Sequence, residues 1–447
     1  MAEVTPPGPI KELDPVVQDV SVKEDVSFLD KIRLYGSMLS IMIPYGLRLL
    51  RFKLAAIHHN LTYKPVDSPQ NIVVVGGSFA GIQIAKYLAD AVPTGYRVVL
   101  VEKNSHFNYL FAFPRFAAVT GYEREAFIPY EGILGGGIKK GALLHVHAEA
   151  ASVTDKQVVL KNGETIDYAY LILATGSAQQ PPAKMTALDR EGACEEMRGI
   201  QQSIAGAKSV AVVGAGAVGV EIAGDVKTYF PDKNVTLFSS RDAVMPGFGK
   251  KLQVRVGDIL KGLDVDVRCN ARPKVLPGGK SVQLADGKVE EFDVVLSCTG
   301  QIPSSGILST LLPNAISAQN GRVLVNPQLQ VQTSAGTVST NIFALGDVAE
   351  HGGPRMARAV FMQAGVVRNN VLDLIRGRAP SQKYTPQVWV EGLIQLTVGK
   401  DVSLLYMPGK DGKDMIMPGP RYPDDFHIAR GWRLVGAKYP GRESSSK

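Results

Sequence analysis

A chain of 447 residues with 45% hydrophobic and 20% charged residues is long enough for two or three domains, each with its own core, and has the balance of an ordinary globular protein. Its three cysteines, Cys194, Cys269 and Cys298, form no CxxC or CxxxxC pair, which argues against a disulfide framework and for a reducing, intracellular compartment. The net charge of +7 gathers at the two ends, so it points to an anionic surface partner, membrane or nucleic acid, more than to an active site.

Residues 1–27 hold two lysines against six acids without any period, and read as a disordered tail. Residues 28–64 invert the sign, with six Lys and Arg against Asp30 alone. Within them runs IRLYGSMLSIMIPYGLRLLRFKL, 32–54. Its uncharged part, 34–47, makes about 21 Å of helix at ~1.5 Å per residue. That is short of the roughly 30 Å hydrocarbon core of a bilayer, and Pro44 would kink it. Two readings stay open: an amphipathic helix lying on a membrane or lipid surface, with basic residues at both ends, or a helix packed on the body. A secretory signal does not fit behind an acidic tail, and MAEV has no glycine for myristoylation, so no lipid anchor is expected.

After Pro69 the rhythm becomes α/β. NIVVVGG, YRVVLVEK and YAYLILATGS read as strands, with a helix over 79–91. KSVAVVGAG, NVTLFSS and FDVVLSCTG repeat the unit, and NIFALGDVA resumes the first one downstream. Continuous apolar runs closed by glycine fit parallel strands covered on both faces. The expected architecture is α/β, with two Rossmann-like dinucleotide-binding domains, the second inserted into the first, plus a small C-terminal α+β domain. The boundaries read as 71–187 with 306–380, then 188–305, then 381–447.

In GGSFAG, Gly76, Gly77, Ser78, Phe79, Ala80 and Gly81 make a strand-to-helix turn that offers helix N-terminal N–H groups to a pyrophosphate. Ser78 stands where the second glycine of G-x-G-x-x-G is expected. Glu102 ends the next strand about 20 residues later, where an acid grips ribose hydroxyls. The second turn matches fully, with Gly214, Gly216 and Gly219, then Glu221. Ser239 holds the place of Glu102 and Arg241 follows, a combination that favours a 2′-phosphate and hence NADPH over NADH. His145 and His147 share one face of a strand but lack a third ligand, so no metal site is expected. GYEREAFIPY, 121–130, reads as a surface helix or loop.

GGSFAG, VEK, ATGS, VVGAGAVGVE, SCTG and IFALGD, in that order over 71–350, resemble the two-dinucleotide-domain flavoproteins that include the pyridine-nucleotide-disulfide reductases. HFNYLFAFPR, 106–115, is similar to the apoptosis-inducing-factor-like branch with its ferroptosis-suppressor quinone reductases. The resemblance implies FAD held by Gly76, Ser78, Gly81, Glu102, Lys103, Thr175, Gly176, Gly346 and Asp347, the last through a following helix end. It implies NADPH or NADH held by Gly214, Gly216, Gly219, Glu221 and Gly300, with Glu221 on the carboxamide. Arg115 is a candidate beside the flavin, and Arg115 and Glu221 are the candidate catalytic side chains.

The disulfide-reductase relatives carry CxxxxC soon after the Glu-ended strand. Here NSHFNYLFAFPRFAAVTG has no cysteine, so electrons would leave the flavin directly for a diffusible acceptor. The run Phe107, Tyr109, Phe111, Phe113, Phe116 would suit a quinone, or would simply pack the core. The leading expectation is an FAD-dependent NAD(P)H:quinone-type oxidoreductase, peripheral on a lipid surface through 32–54 and without a nucleic-acid partner. Its rivals are a biosynthetic flavoenzyme acting on a soluble enone or quinone, and an NAD(P)H-sensing binding protein.

Overall fold

Strand β1 (Gln70–Val75) is apolar throughout its inner part because both of its faces are covered. In the computed structural model, which describes residues 28–409 and 413–441, Ile72 and Val74 pack with Ile84, Leu88 and Val367 on one side. Val73 and Val75 pack with Val153, Val158 and Leu308 on the other. The first of these layers comes from helix α2 (Phe79–Ala89) and a long helix far along the chain; the second includes a small antiparallel sheet over Ala150–Val153, Gln157–Leu160 and Thr165–Asp167.

The sheet built on β1 has six strands. In chain order they are β1, β2 (Tyr96–Glu102), β3 (Leu143–His147), β4 (Tyr170–Leu173), and, after a long insertion, two more described below. The insertion opens with helix α4 (Arg190–Gly206), α3 being the short Phe113–Ala118 before it. It then forms its own parallel sheet of β5 (Ser209–Val213), β6 (Asn234–Phe238), β7 (Asp266–Arg268) and β8 (Val294–Ser297), in the order β7-β6-β5-β8. Val212 registers with Leu237 on one side and Leu296 on the other. Helices α5 (Ala217–Tyr229) and α6 (Lys250–Gly262) cover one face.

The chain returns to the first sheet with β9 (Gln330–Gln332) and β10 (Val338–Ala344), completing the order β9-β10-β4-β1-β2-β3, parallel except for β9 against β10. The long helix α7 (Ala357–Ile375) then packs across it. A three-stranded antiparallel sheet follows, β11 (Ile394–Val398), β12 (Val402–Met407) and β13 (Met415–Pro418), and helix α8 (Ile428–Val435) ends the described chain. This is the α/β fold of two Rossmann-like units with a small α+β appendage. The appendage packs on the insertion: Leu396, Val398 and Tyr406 share a core with Val220, Ile222 and Val226 of α5. A Cβ on Gly224 would lie 2.5 Å from the Gly399 nitrogen, so the two backbones nearly touch.

Helix α1 (Phe28–Thr62) precedes all of this and continues through Pro44. The tail read over 1–27 lies outside the described residues. Among the described residues no helix is long and apolar enough to cross a membrane. The segment packs on the body along one side and leaves apolar residues exposed along another. Phe52 meets the ring of Tyr87 and Arg48 reaches α7, while Ile43, Leu47, Leu50, Leu54, Ile57 and Leu61 are all more than half exposed.

Candidate active site

Two turns repeat one steric arrangement. Gly76 has φ +101°, and a Cβ there would lie 2.4 Å from the Ala174 carbonyl oxygen. Gly214 has φ +115°, with a Cβ 2.6 Å from the oxygen of Cys298. Helices α2 and α5 come close to their strands because Gly81 and Gly219 have no side chain: a Cβ would fall 1.6 Å and 1.9 Å from the oxygens of Gly76 and Gly214.

The middle position differs between the turns. Ser78 and Gly216 are the N-caps of α2 and α5, both extended, and the Ser78 hydroxyl makes no capping bond. No protein atom lies within 4 Å of a Cβ built on Gly216. Nothing in the fold demands glycine there, and the open space would admit an approaching phosphate. First-turn N–H groups have no intrahelical partner and sit at the positive end of the helix dipole. Each turn therefore fits the pyrophosphate of a dinucleotide.

Glu102 ends β2 almost buried. Its Oε2 accepts from the Gly77 N–H at 2.5 Å, and its Oε1 accepts from the Asn104 N–H at 2.8 Å and Nδ2 at 2.6 Å. The carboxylate is thus held beside the turn, as a ribose-binding acid must be. Tyr130 backs this arrangement by donating to the Gly77 carbonyl at 2.8 Å, and burial keeps its phenol protonated. The segment 121–130 is therefore not the surface element expected. Glu123, Glu125, Phe127, Ile128 and Tyr130 are all buried, and the indole of Trp432 on α8 donates to the Glu125 carbonyl at 2.9 Å. The apolar FIPY following the acids is the one sequence signal that pointed inward.

Lys184, which no motif marks, also belongs to this cradle. Burial lowers its pKa, while Glu102 and Asp347 hold it up, and its Nζ donates to the Ser177 carbonyl at 3.1 Å. Asp347 lies in a 3-10 turn, Gly346–Val348, and the next α-helix starts only at Ala357, so no helix end follows it directly. The turn is fixed from α7 instead, where the buried Gln363 accepts from the Gly346 N–H at 2.8 Å. Thr175 and Gly176 form the crossing between the two units: the Thr175 hydroxyl donates to the Ser304 carbonyl at 2.7 Å, and the Ser304 N–H donates to Gly176 at 2.9 Å. Lys103 is exposed, with its carbonyl 3.0 Å from His147 Nε2. His145 packs on the Tyr130 ring, and among the described residues no group of three or more His, Cys, Asp or Glu is placed to hold a metal.

In the second cradle Ser239 is buried, donating to the Ala243 carbonyl at 2.7 Å and accepting from the Arg241 N–H at 3.3 Å. Its hydroxyl shapes the turn, and the side chains of Ser240 and Arg241 are the exposed ones. Glu221 lies on α5 under the appended sheet, accepting from the Thr397 N–H and hydroxyl, both at 3.3 Å. Burial pushes its carboxyl up to about 8, so it is largely protonated at neutral pH. Gly300 closes the cradle with φ +68°.

A family model, pyridine nucleotide-disulphide oxidoreductase, matches residues 70–364, which span both cradles. The chain belongs to that family. Ferroptosis suppressor protein 1 of Xenopus tropicalis is 31% identical over 70% of this chain and 83% of its own. Fe-regulated protein 8 of Mycosarcoma maydis is 28% identical over 75% and 88%. Among solved structures, the sulfide:quinone oxidoreductase of Aquifex aeolicus superimposes with a TM-score of 0.64 at 18% identity, covering 82% of this chain and 91% of that one. The protein is accordingly an FAD-dependent NAD(P)H oxidoreductase, and its two cradles fit the two nucleotides the family uses.

The described surroundings of the first cradle in this oxidoreductase hold several aromatic rings and no paired cysteines. Among the described residues the cysteines are all free; burial pushes the Cys194 thiol up to about 11 and that of Cys298, behind Gly214, up to about 12. The aromatic run after β2 divides. Phe107, Phe113 and Phe116 are fully buried, Tyr109 nearly so, and Phe111 is 44% exposed. Phe79, next to Ser78, meets Phe107 at 4.9 Å and Phe111 at 5.1 Å between ring centroids.

Arg115 is buried where the two units meet. Its Nε forms an ion pair with Asp225 of α5, and its other nitrogens donate to the carbonyls of Gly399 at 3.2 Å and Tyr422 at 3.3 Å. The guanidinium braces α3 against α5 and the appended sheet.

Proposed function

We propose that this oxidoreductase delivers its electrons to a quinone-type acceptor, prefers NADPH, and works at a lipid surface. The first cradle, with Gly76, Ser78, Gly81 and Glu102, would hold FAD, whose chemistry would be acceptance of a hydride from the reduced nicotinamide and two-electron reduction of the acceptor. The chain supplies orientation: Glu102 and the two glycine turns hold the nucleotides, and Glu221, protonated, offers a hydrogen bond to the carboxamide. With no acid at the end of β6 and an exposed Arg241 beyond it, the second cradle favours a 2′-phosphate.

The observation that carries the acceptor reading is the aromatic group at the mouth of the first cradle. Phe79, Phe107, Phe361, Val360 and Leu434, with Gln83 and Lys86 beside them, line a mostly apolar cavity of about 170 Å³ directly beside α2. Flat, apolar walls next to the flavin turn suit a planar, apolar acceptor. The exposed apolar stripe of α1 suits a substrate that dwells in lipid and weighs against a soluble biosynthetic intermediate.

The test is anaerobic mixing of the flavin-loaded protein with NADPH or NADH, followed by a short-chain ubiquinone. Rapid bleaching, faster with NADPH, and rapid return of colour on adding quinone are expected. Bleaching with no return for any quinone would overturn the acceptor reading.

A further inference from the structure

A cavity of about 1200 Å³ belongs to neither cradle. It is an open groove between α1 and the C-terminal half of α7. Five arginines line it, Arg48, Arg51, Arg368, Arg376 and Arg378, against Asp373 as the one acid. Among the described residues, Arg378 alone of these pairs with a carboxylate, donating to Asp373 at 2.8 Å. Arg48 reaches the Met362 thioether and lies over the Tyr45 ring, and Arg368 lies 4.1 Å from the Phe52 ring centroid while donating to the Tyr87 carbonyl. Burial, and next Arg376, pulls the Arg368 guanidinium down to about 10, while Asp90 and Tyr87 pull the other way.

The groove is amphiphilic. Phe52, Ala55, Leu372 and Ala379 form apolar wall between the guanidinium groups. On α1 the groove residues recur as Pro44, Arg48, Arg51, Ala55, His58 and Thr62, a second helical stripe. It lies roughly 100° round the helix from the exposed leucines, at 3.6 residues per turn. A molecule whose tail lies along the first stripe can therefore place its head in the second.

We propose that this groove is a binding site for the phosphate headgroup of an anionic phospholipid, held by Arg48, Arg51, Arg368 and Arg376. Guanidinium groups recognise phosphate through paired N–H donors, and the surface that α1 lies on supplies the ligand. The proposal rests on the reading of α1 as a lipid-surface helix. It adds that binding there is selective for a headgroup, rather than a diffuse attraction between a basic helix and negative charge.

The experiment is flotation of the full-length, flavin-loaded protein with phosphatidylcholine vesicles, with and without phosphatidylglycerol. Three double variants are compared: Arg51→Gln/Arg376→Gln in the groove, Lys53→Gln/Lys64→Gln on exposed positions outside it, and Leu50→Glu/Leu54→Glu in the apolar stripe. Flavin absorbance and turnover of a water-soluble quinone report that each is folded.

The groove variant is expected to lose the gain from phosphatidylglycerol by about tenfold while keeping its weak binding to phosphatidylcholine. The lysine variant is expected to change it by about twofold at most. Equal losses in the arginine and lysine variants would overturn the site in favour of diffuse attraction. Equal binding of both vesicle types by the unaltered protein would also overturn it, leaving the lipid reading of α1 intact. No flotation with either vesicle overturns both, and the stripe variant separates these cases by losing both vesicle types only if α1 is the contact. Full suppression of the phosphatidylglycerol gain by millimolar glycerol 3-phosphate would show a soluble phosphate to be the ligand and overturn the lipid source.

Discussion

Arg115 Nε and Asp225 Oδ2 lie 3.0 Å apart, and neither side chain has any exposed surface. The pair joins a short helix of the first unit to the nucleotide helix of the second. Removing one partner leaves an uncompensated charge in a dry site, at a cost of about 3–5 kcal/mol. Asp225→Ala is expected to lower the thermal midpoint sharply and to loosen bound flavin. The double variant Arg115→Met/Asp225→Leu is expected to regain most of the stability, read by the same thermal melt. Equal midpoints for the single variant and the unaltered protein would refute the brace.

Glu221 sets a pH window. Its carboxyl is raised from an ordinary value of 4.5 to about 8 by burial. A carboxyl raised on folding leaves stability intact below its unfolded pKa and costs stability as pH climbs to its folded one. Thermal midpoints are thus expected to decline between about pH 4.5 and 8, and the KM for NADPH to rise through about 8 as the donor is lost. Glu221→Gln, neutral at every pH, should flatten both profiles. A KM profile unchanged by the substitution would remove Glu221 from the nucleotide site.

The glycines separate into those the fold requires and one, Gly216, that it does not. Gly81→Ala and Gly219→Ala would drive a methyl into a carbonyl oxygen, at 1.6 Å and 1.9 Å, and are expected to impair folding and flavin loading. Gly216→Ala meets open space. It should melt like the unaltered protein, load flavin normally, and show a KM for NADPH raised about tenfold or more, because its methyl occupies the phosphate approach. A normal KM in Gly216→Ala would count against a pyrophosphate at that turn.

Tyr130→Phe removes one buried hydrogen bond, to the Gly77 carbonyl, without changing shape. A loss of about 1 kcal/mol is expected, visible as a lower midpoint and faster flavin release on dilution. Because the phenol touches the FAD turn and not the NADPH one, the KM for NADPH should hold.

The parallel strands and both glycine turns were legible in the sequence, since each is a local pattern: an apolar run, a glycine with positive φ, and a helix packed too close for a Cβ. The features that escaped it are held by partners distant in the chain. HFNYLFAFPR surrounds Arg115 with aromatic residues that suggest a flavin neighbour, while its true counter-ion sits on α5 of the inserted unit. Tyr130 follows a run of charges that masks an inward turn. Ser239 matches the place of Glu102 in the sequence, yet its hydroxyl is taken by the Ala243 carbonyl and the exposed side chains are those after it. The α1 stripe was visible as an amphipathic pattern. The arginines that turn its other edge into a groove come from α7, and only folding brings them together.

The repeated turn also bears on how such a chain can diversify. Gly76 leans on the Ala174 carbonyl and Gly214 on that of Cys298 with the same geometry, whatever nucleotide each then holds. The two turns differ instead at the tips of β2 and β6, where Glu102 bonds to one cradle and the 239–241 turn adjoins the other. Two copies of one backbone device can therefore drift apart in cofactor choice by changes at a few tip residues, each copy independently, while the framework that joins them stays the same.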